Sequence, residues 1–175
     1  MPAPEIPVLR GERVLLRPLE ERDVIPLAAI LAEPEVARWW GRWDADRVRA
    51  DLLEWEGDAA LAIESDGQLA GFLQVTEEDE PQYRHASLDV FLRTADQGRG
   101  LAREALRLVI AHLIAARGHH RLTIDPAAAN ERAIRAYAAL GFKPVGVMRR
   151  YERGPDGEWH DGLLMDLLAE EFGAL

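Results

Sequence analysis

The spacing of hydrophobic and polar positions changes several times along the chain, and each change marks an element. Arg13 to Leu19 (RVLLRPL) reads as a first strand. Asp23 is placed to cap a helix running through Leu27, Ile30 and Leu31, with Pro26 in a first turn where a missing N–H does no harm. A short segment holding Trp39, Trp40 and Trp43 follows, and then Val48, Leu52 and Trp55 at i, i+4 and i+7 predict a second helix over residues 46–55. Ala59 to Ser65 and Gln68 to Thr76 are strand-like runs parted by Asp66-Gly67, a strong signal for a two-residue hairpin. An acidic stretch, Glu77-Glu-Asp-Glu-Pro81, reads as a loop. It leads to Ala86 to Leu92, where Leu88, Val90 and Leu92 alternate with Ser87, Asp89 and Phe91 as in a third antiparallel strand.

From Gly100 to Ala116 the period becomes helical, with Ala102, Leu106, Val109 and Leu113 on one face and Gly118 as the stop. Arg121 to Ile124 is a strand, and Asn130 to Leu140 a helix ended by Gly141. Phe142 to Tyr151 and Gly162 to Leu168 are closing strands joined around Gly154-Pro-Asp-Gly157. The order β-α-α-β-β-β-α-β-α-β-β predicts an α/β fold, a mixed and mostly antiparallel sheet of six to seven strands flanked by four helices. No repeat or linker interrupts it, and 175 residues suit one domain spanning 1–175.

Composition narrows the chemistry. Without cysteine there is no disulfide, thiol nucleophile or thiolate metal site. The five histidines are scattered, and His119 and His120 are neighbours that point apart on a regular element, so no metal site is expected. A net charge of −10, from 31 acidic and 21 basic residues, opposes a nucleic-acid backbone and favours cationic ligands, besides serving solubility. No apolar run approaches the roughly 20 residues that span a bilayer, and Met1 to Pro7 lacks an export signal. The expectation is a soluble, cytoplasmic protein, a monomer or homodimer, that does not engage membranes.

The segment Gln97-Gly-Arg-Gly-Leu-Ala102, just before the long helix, has the makings of an anion cradle. Gly98 and Gly100 let the backbone approach a ligand, the helix start offers unpaired N–H groups and the positive end of a dipole, and Arg99 can add charge. The same two glycines could simply turn the chain. The segment is not a P-loop, because the Gly-Lys-Ser/Thr ending is missing, and it lacks the third glycine of a dinucleotide fingerprint.

Gln97-x-x-Gly100-x-Ala102 opening a helix resembles the (Gln/Arg)-x-x-Gly-x-(Gly/Ala) acetyl-CoA pyrophosphate motif of the GNAT superfamily of N-acetyltransferases. Asn130-Glu-Arg-Ala-Ile-Arg-Ala-Tyr137-Ala-Ala-Leu-Gly141-Phe142 resembles the family's second signature, an Asn on the cofactor arm and a Tyr near the thioester sulfur. The resemblance implies acetyl-CoA as cosubstrate, bound by Gln97, Gly98, Arg99, Gly100, Leu101, Ala102 and Asn130. Within the superfamily the chain is similar to aminoglycoside 6′-N-acetyltransferases through Asp89, Asp125-Pro126 and Trp39-Trp40-Gly41. That likeness implies Asp89 as general base or amine anchor, Tyr137 as general acid, and Asp125, Trp39 and Trp40 as contacts to a small polycationic amine. The stretch from Gly146 to Leu168, with Arg149-Arg150, Asp156-Gly157-Glu158-Trp159 and a final Glu170-Glu171, also resembles acetyltransferases of ribosomal-protein N-terminal alanine. A domain that binds acyl-CoA without catalysis is the third reading.

Acetyl transfer to an amine asks for such residues on its own account. An alkylamine with pKa about 10.4 must lose a proton first, at roughly 4 to 5 kcal/mol near pH 7. A carboxylate can hold the ammonium and accept that proton, and a phenol can protonate the leaving thiolate. Each residue also has a plainer reading. Asp89 alternates as a solvent-facing strand position would, Asp125 before Pro126 is a turn former, Tyr137 suits a core, and tryptophans pack.

Overall fold

In the computed structural model, which describes residues 5–56 and 58–173, alternation along the strands sorts side chains onto two faces of one sheet. The strands are β1 (Leu9–Arg10), β2 (Val14–Pro18), β3 (Asp58–Ser65), β4 (Gln68–Glu78), β5 (His85–Leu92), β6 (Arg121–Ile124), β7 (Lys143–Arg153) and β8 (Trp159–Leu168), in the order β1-β2-β3-β4-β5-β6-β8-β7. Ile63, Leu73, Leu88 and Leu92 go to the face covered by α4 (Leu101–Ala115), while Ala62, Phe72 and Phe91 go to the face covered by α1 (Val24–Leu31), α2 (Pro34–Trp40) and α3 (Ala45–Val48). A fifth helix, α5 (Glu131–Ala138), adds Ile134 and Tyr137 to the α4 side.

The fold is the expected α/β class, with eight strands and five helices among the described residues. The additions are the two-residue β1 and α2, where Pro34 opens a helix over the tryptophan segment. The Asp66-Gly67 hairpin is present, both residues at positive φ between Ser65 and Gln68.

Three local expectations change. Asp23 does not cap α1 with its side chain, because both oxygens bind the buried Arg17 guanidinium at 2.7 and 2.8 Å. Burial pushes the Asp23 carboxyl up, and the hydrogen bonds and charge of Arg17 outweigh it, so the group is held below its usual range. The second helix starts at Ala45 instead of Asp46, with Asp44 capping α3 by accepting from the Arg47 N–H at 2.9 Å. Val48 and Leu52 are buried, whereas Trp55 lies past the helical turn ending at Leu53 and is exposed.

The parallel pair β5–β6 positions the site. Only Ala86 with Leu122 and Ser87 with Thr123 are in register, and the two hydroxyls of the second pair hydrogen bond at 2.7 Å. Beyond them the chain after β6 follows β8 instead, through Leu163 N–H to Pro126 O at 2.9 Å and Ala128 N–H to Asp161 O at 2.8 Å. The strands therefore fork, and the edge of β5 from Leu88 onward loses its strand partner on that side.

Candidate active site

The fork opens into a cleft of about 1380 Å³. This exceeds the roughly 300–1,000 Å³ of an ordinary single-ligand site and suits two ligands meeting end to end.

One half of the cleft is made of backbone. Gln97 Nε2 donates to Leu92 O at 3.1 Å, tying the loop to the end of β5, and Gln97 Oε1 accepts from Arg132 Nη1 at 3.0 Å. Gly98 and Gly100 sit at φ +76° and +79°, and a Cβ on Gly100 would lie 3.1 Å from Arg13 Nη2. Side chains at either position would thus meet backbone strain, and at Gly100 crowding as well. Arg13 braces the loop from behind by donating to Arg99 O at 2.6 Å. The first intrahelical bond of α4 runs from Glu104 N–H to Gly100 O, leaving the N–H groups of Leu101, Ala102 and Arg103 for a ligand. Asn130 caps α5 by accepting from Ala133 N–H at 3.2 Å, which leaves its amide nitrogen as the group a ligand could use.

The other half is made of side chains. Asp89 shares a face with Phe91, whose ring meets Trp40 at 4.9 Å, so it opens toward α2. Trp39, Trp40 and Trp43 all line the cleft. Trp40 and Trp43 also pack onto the core, and Trp39 carries the Arg38 guanidinium 4.7 Å from its ring centre. Asp125, at the end of β6, is half-buried. Burial pushes its carboxyl up, while the neighbouring Tyr151 phenol pulls the other way. Burial, then the charges of Asp89 and Asp125, hold the Tyr137 phenol well above its usual value, so it keeps its proton through the alkaline range. Gly41, after α2, lies near Pro155 of the β7–β8 turn, at this end of the cleft.

The match to known families fits this geometry: residues 13–143 match the model of the acetyltransferase (GNAT) domain. The chain belongs to the GNAT acetyltransferases. It is 29% identical to aminoglycoside N(6')-acetyltransferase type 1 of Klebsiella pneumoniae over 84% of this chain and 80% of that one. It is 25% identical to spermidine N(1)-acetyltransferase of Escherichia coli K12 over 91% and 88%. The structure of Mycobacterium smegmatis RimJ in complex with CoA-disulfide superposes with a TM-score of 0.79 at 26% identity, covering 91% of this chain and 84% of the other. GNAT enzymes transfer the acetyl group of acetyl-CoA to amines, and this chain's glycine loop, unpaired helix N–H groups and forked strands fit that cosubstrate.

Of the residues singled out in the GNAT motifs, Gln97, Gly98, Gly100, Leu101, Ala102 and Asn130 line the cleft, as do Asp89, Asp125, Tyr137, Trp39 and Trp40. Arg99 does not. Its guanidinium turns outward to the buried Asp96 at 2.9 Å, and the cations on the cleft wall beside the glycine loop are Arg103 and Arg132. The acidic stretch after residue 76 is also absent from the lining. Glu77 and Glu78 complete β4, and Glu77 is buried against Arg117 and His119. The acceptor end takes its further acidity from Glu152, which arrives on β7 beside Tyr151. Burial, then Asp125, pushes the Glu152 carboxyl up. Neither residue has a local sequence signal; only the strand pairing brings them in.

Proposed function

We propose that the protein acetylates a primary amine of a small polycationic acceptor, with the 6′-amino group of an aminoglycoside as the leading candidate and a polyamine such as spermidine next. An aminoglycoside acceptor would make it an antibiotic-resistance enzyme. The observation that carries this reading is the convergence of Asp89, Asp125 and Glu152 with two phenols at the acceptor end of the cleft. Bound acetyl-CoA supplies a reactive thioester. Asp89 holds the ammonium and takes its proton, directly or through water, and Tyr137 holds a proton for the departing sulfur. A main-chain N–H of β5 beyond its last pairing with β6 is the donor for a carbonyl oxygen gaining charge.

One observation favours a second reading. Arg38, Arg47 and Arg153 line the same end, so an amine acceptor that also carries carboxylates, such as a peptide with acidic side chains beside its N-terminal amine, would also find a partner. The test is thiol release from acetyl-CoA with kanamycin-type aminoglycosides, spermidine and Ala- or Ser-starting peptides. Turnover with the polycations supports the first reading, and turnover with peptides alone replaces it with the second. No turnover with any amine, despite CoA binding, would leave an acyl-CoA-binding domain.

A further inference from the structure

We propose that the irregular turn of β7 is a positioning device for the acceptor: Arg150, Asp161 and Gly162 together seat Tyr151 against Asp125, and Tyr151 fixes that carboxylate for the acceptor's ammonium group. The inference rests on the amine-acceptor reading above.

Between Met148, opposite Gly162, and Glu152, opposite His160, four steps along β7 face two along β8. The strand must bulge there. Arg150 takes φ +48°, a left-handed conformation rare for a residue with a side chain; Asp66, in its hairpin, is the other non-glycine case among the described residues. Such a conformation persists where its surroundings fix it. Here the Arg150 N–H donates to Asp161 Oδ1 at 2.8 Å. The next residue, Gly162, lies beneath the Tyr151 ring. A Cβ on it would stand 3.0 Å from Tyr151 Cδ1 and 3.2 Å from Met148 Cε, so the ring occupies the space a side chain would fill. Three neighbouring features thus serve one result, a phenol turned into the cleft that Asp125 also lines, where it acts on that carboxylate.

Asp125 has need of that phenol. The titratable groups facing it are Tyr151 and Glu152 from β7, Asp89 from β5 and Tyr137 from α5, with His160 of β8 acting on Glu152. Burial opposes its ionisation, and the neighbouring Tyr151 hydroxyl favours the charged form that binds ammonium. Removing the hydroxyl moves the Asp125 titration up, so ammonium binding is lost at a higher pH as pH falls.

The test is a carbon-detected NMR titration of the Asp125 carboxyl, assigned with Asp125→Asn, in wild type, Tyr151→Phe and Gly162→Ala. The midpoint is expected to rise in Tyr151→Phe, and to rise less in Gly162→Ala, where the ring is displaced but keeps its hydroxyl. With spermidine as the acceptor probe, KM in Tyr151→Phe should rise about five- to tenfold near neutral pH with kcat within about twofold. The acid limb of kcat/KM should move with the NMR midpoint. An unchanged Asp125 midpoint in Tyr151→Phe overturns the proposal, as does a loss confined to kcat. A shifted midpoint in a protein that acetylates no amine upholds the Tyr151–Asp125 device and rejects the amine reading.

Discussion

The two halves of the cleft are built by different means. The half we propose for the cofactor comes mainly from one continuous stretch, Gln97 to Arg103, and what it offers a ligand is main-chain N–H donors fixed by two left-handed glycines and a helix start. The half we propose for the acceptor draws single side chains from α2, β5, the end of β6, α5 and β7, and its character is charge. A backbone cradle tolerates side-chain change outside its glycines. A side-chain pocket can be retuned one residue at a time. Within one fold the donor can therefore stay constant while the acceptor varies, and the relatives named for aminoglycosides and for spermidine illustrate that difference.

Variants in each half should fail in different ways. The largest effect is expected for Asp89→Asn, which keeps the shape and removes charge and basicity: turnover at neutral pH should fall by roughly 10² to 10⁴, with acetyl-CoA affinity unchanged by calorimetry. Gly100→Val should do the reverse. Wild type should gain about 2.7 kcal/mol from acetyl-CoA at a hundredfold excess over Kd, seen as a higher melting temperature, and the variant should lose that gain while its unliganded melting stays cooperative. An undiminished shift would break the assignment of the loop. Tyr137→Phe should cost less than Asp89→Asn, because a thiol of pKa about 8.5 leaves tolerably unaided. Since burial and the nearby carboxylates keep the Tyr137 phenol protonated, the wild-type rate should show no downturn near pH 10 from this group. The smallest effect separates the halves by screening: KM for a polycationic acceptor should rise a few-fold across a salt series, because exposed charges lose each other beyond about 8 Å at physiological ionic strength. A KM that stays flat would remove charge as the basis of acceptor recognition.

The difference between the halves also explains what could be read from the chain. Strand alternation and helix period located the α/β core, since Leu88, Leu92, Leu106 and Leu113 are buried where their spacing puts them. The glycine loop was legible because its chemistry is local. Arg99 was misleading for the same reason: adjacency suggested a phosphate contact, but Asp96, three residues away and buried, takes its charge. The acidic stretch from Glu77 read as a loop through its composition, whereas Glu77 and Glu78 pair with Ala86 and His85 in the sheet and Glu77 is set against Arg117 and His119. Tyr151 and Glu152 were illegible. Their place depends on a bulge set by Arg150, Asp161 and Gly162, and on the fork that leaves Asp125 facing β7.

The central claim is that Asp89 manages the proton of an amine held at the fork, and kcat/KM against pH for wild type and Asp89→Asn tests it most directly. An amine that is already neutral needs no base, so the variant should regain part of its lost rate as pH approaches the acceptor's own pKa, near 10 for an alkylamine. Tyr137→Phe, measured beside it, should show no such recovery. An Asp89→Asn enzyme that is fully active at neutral pH, or equally impaired at every pH, would contradict the claim and leave Asp89 as a strand residue that only borders the cleft.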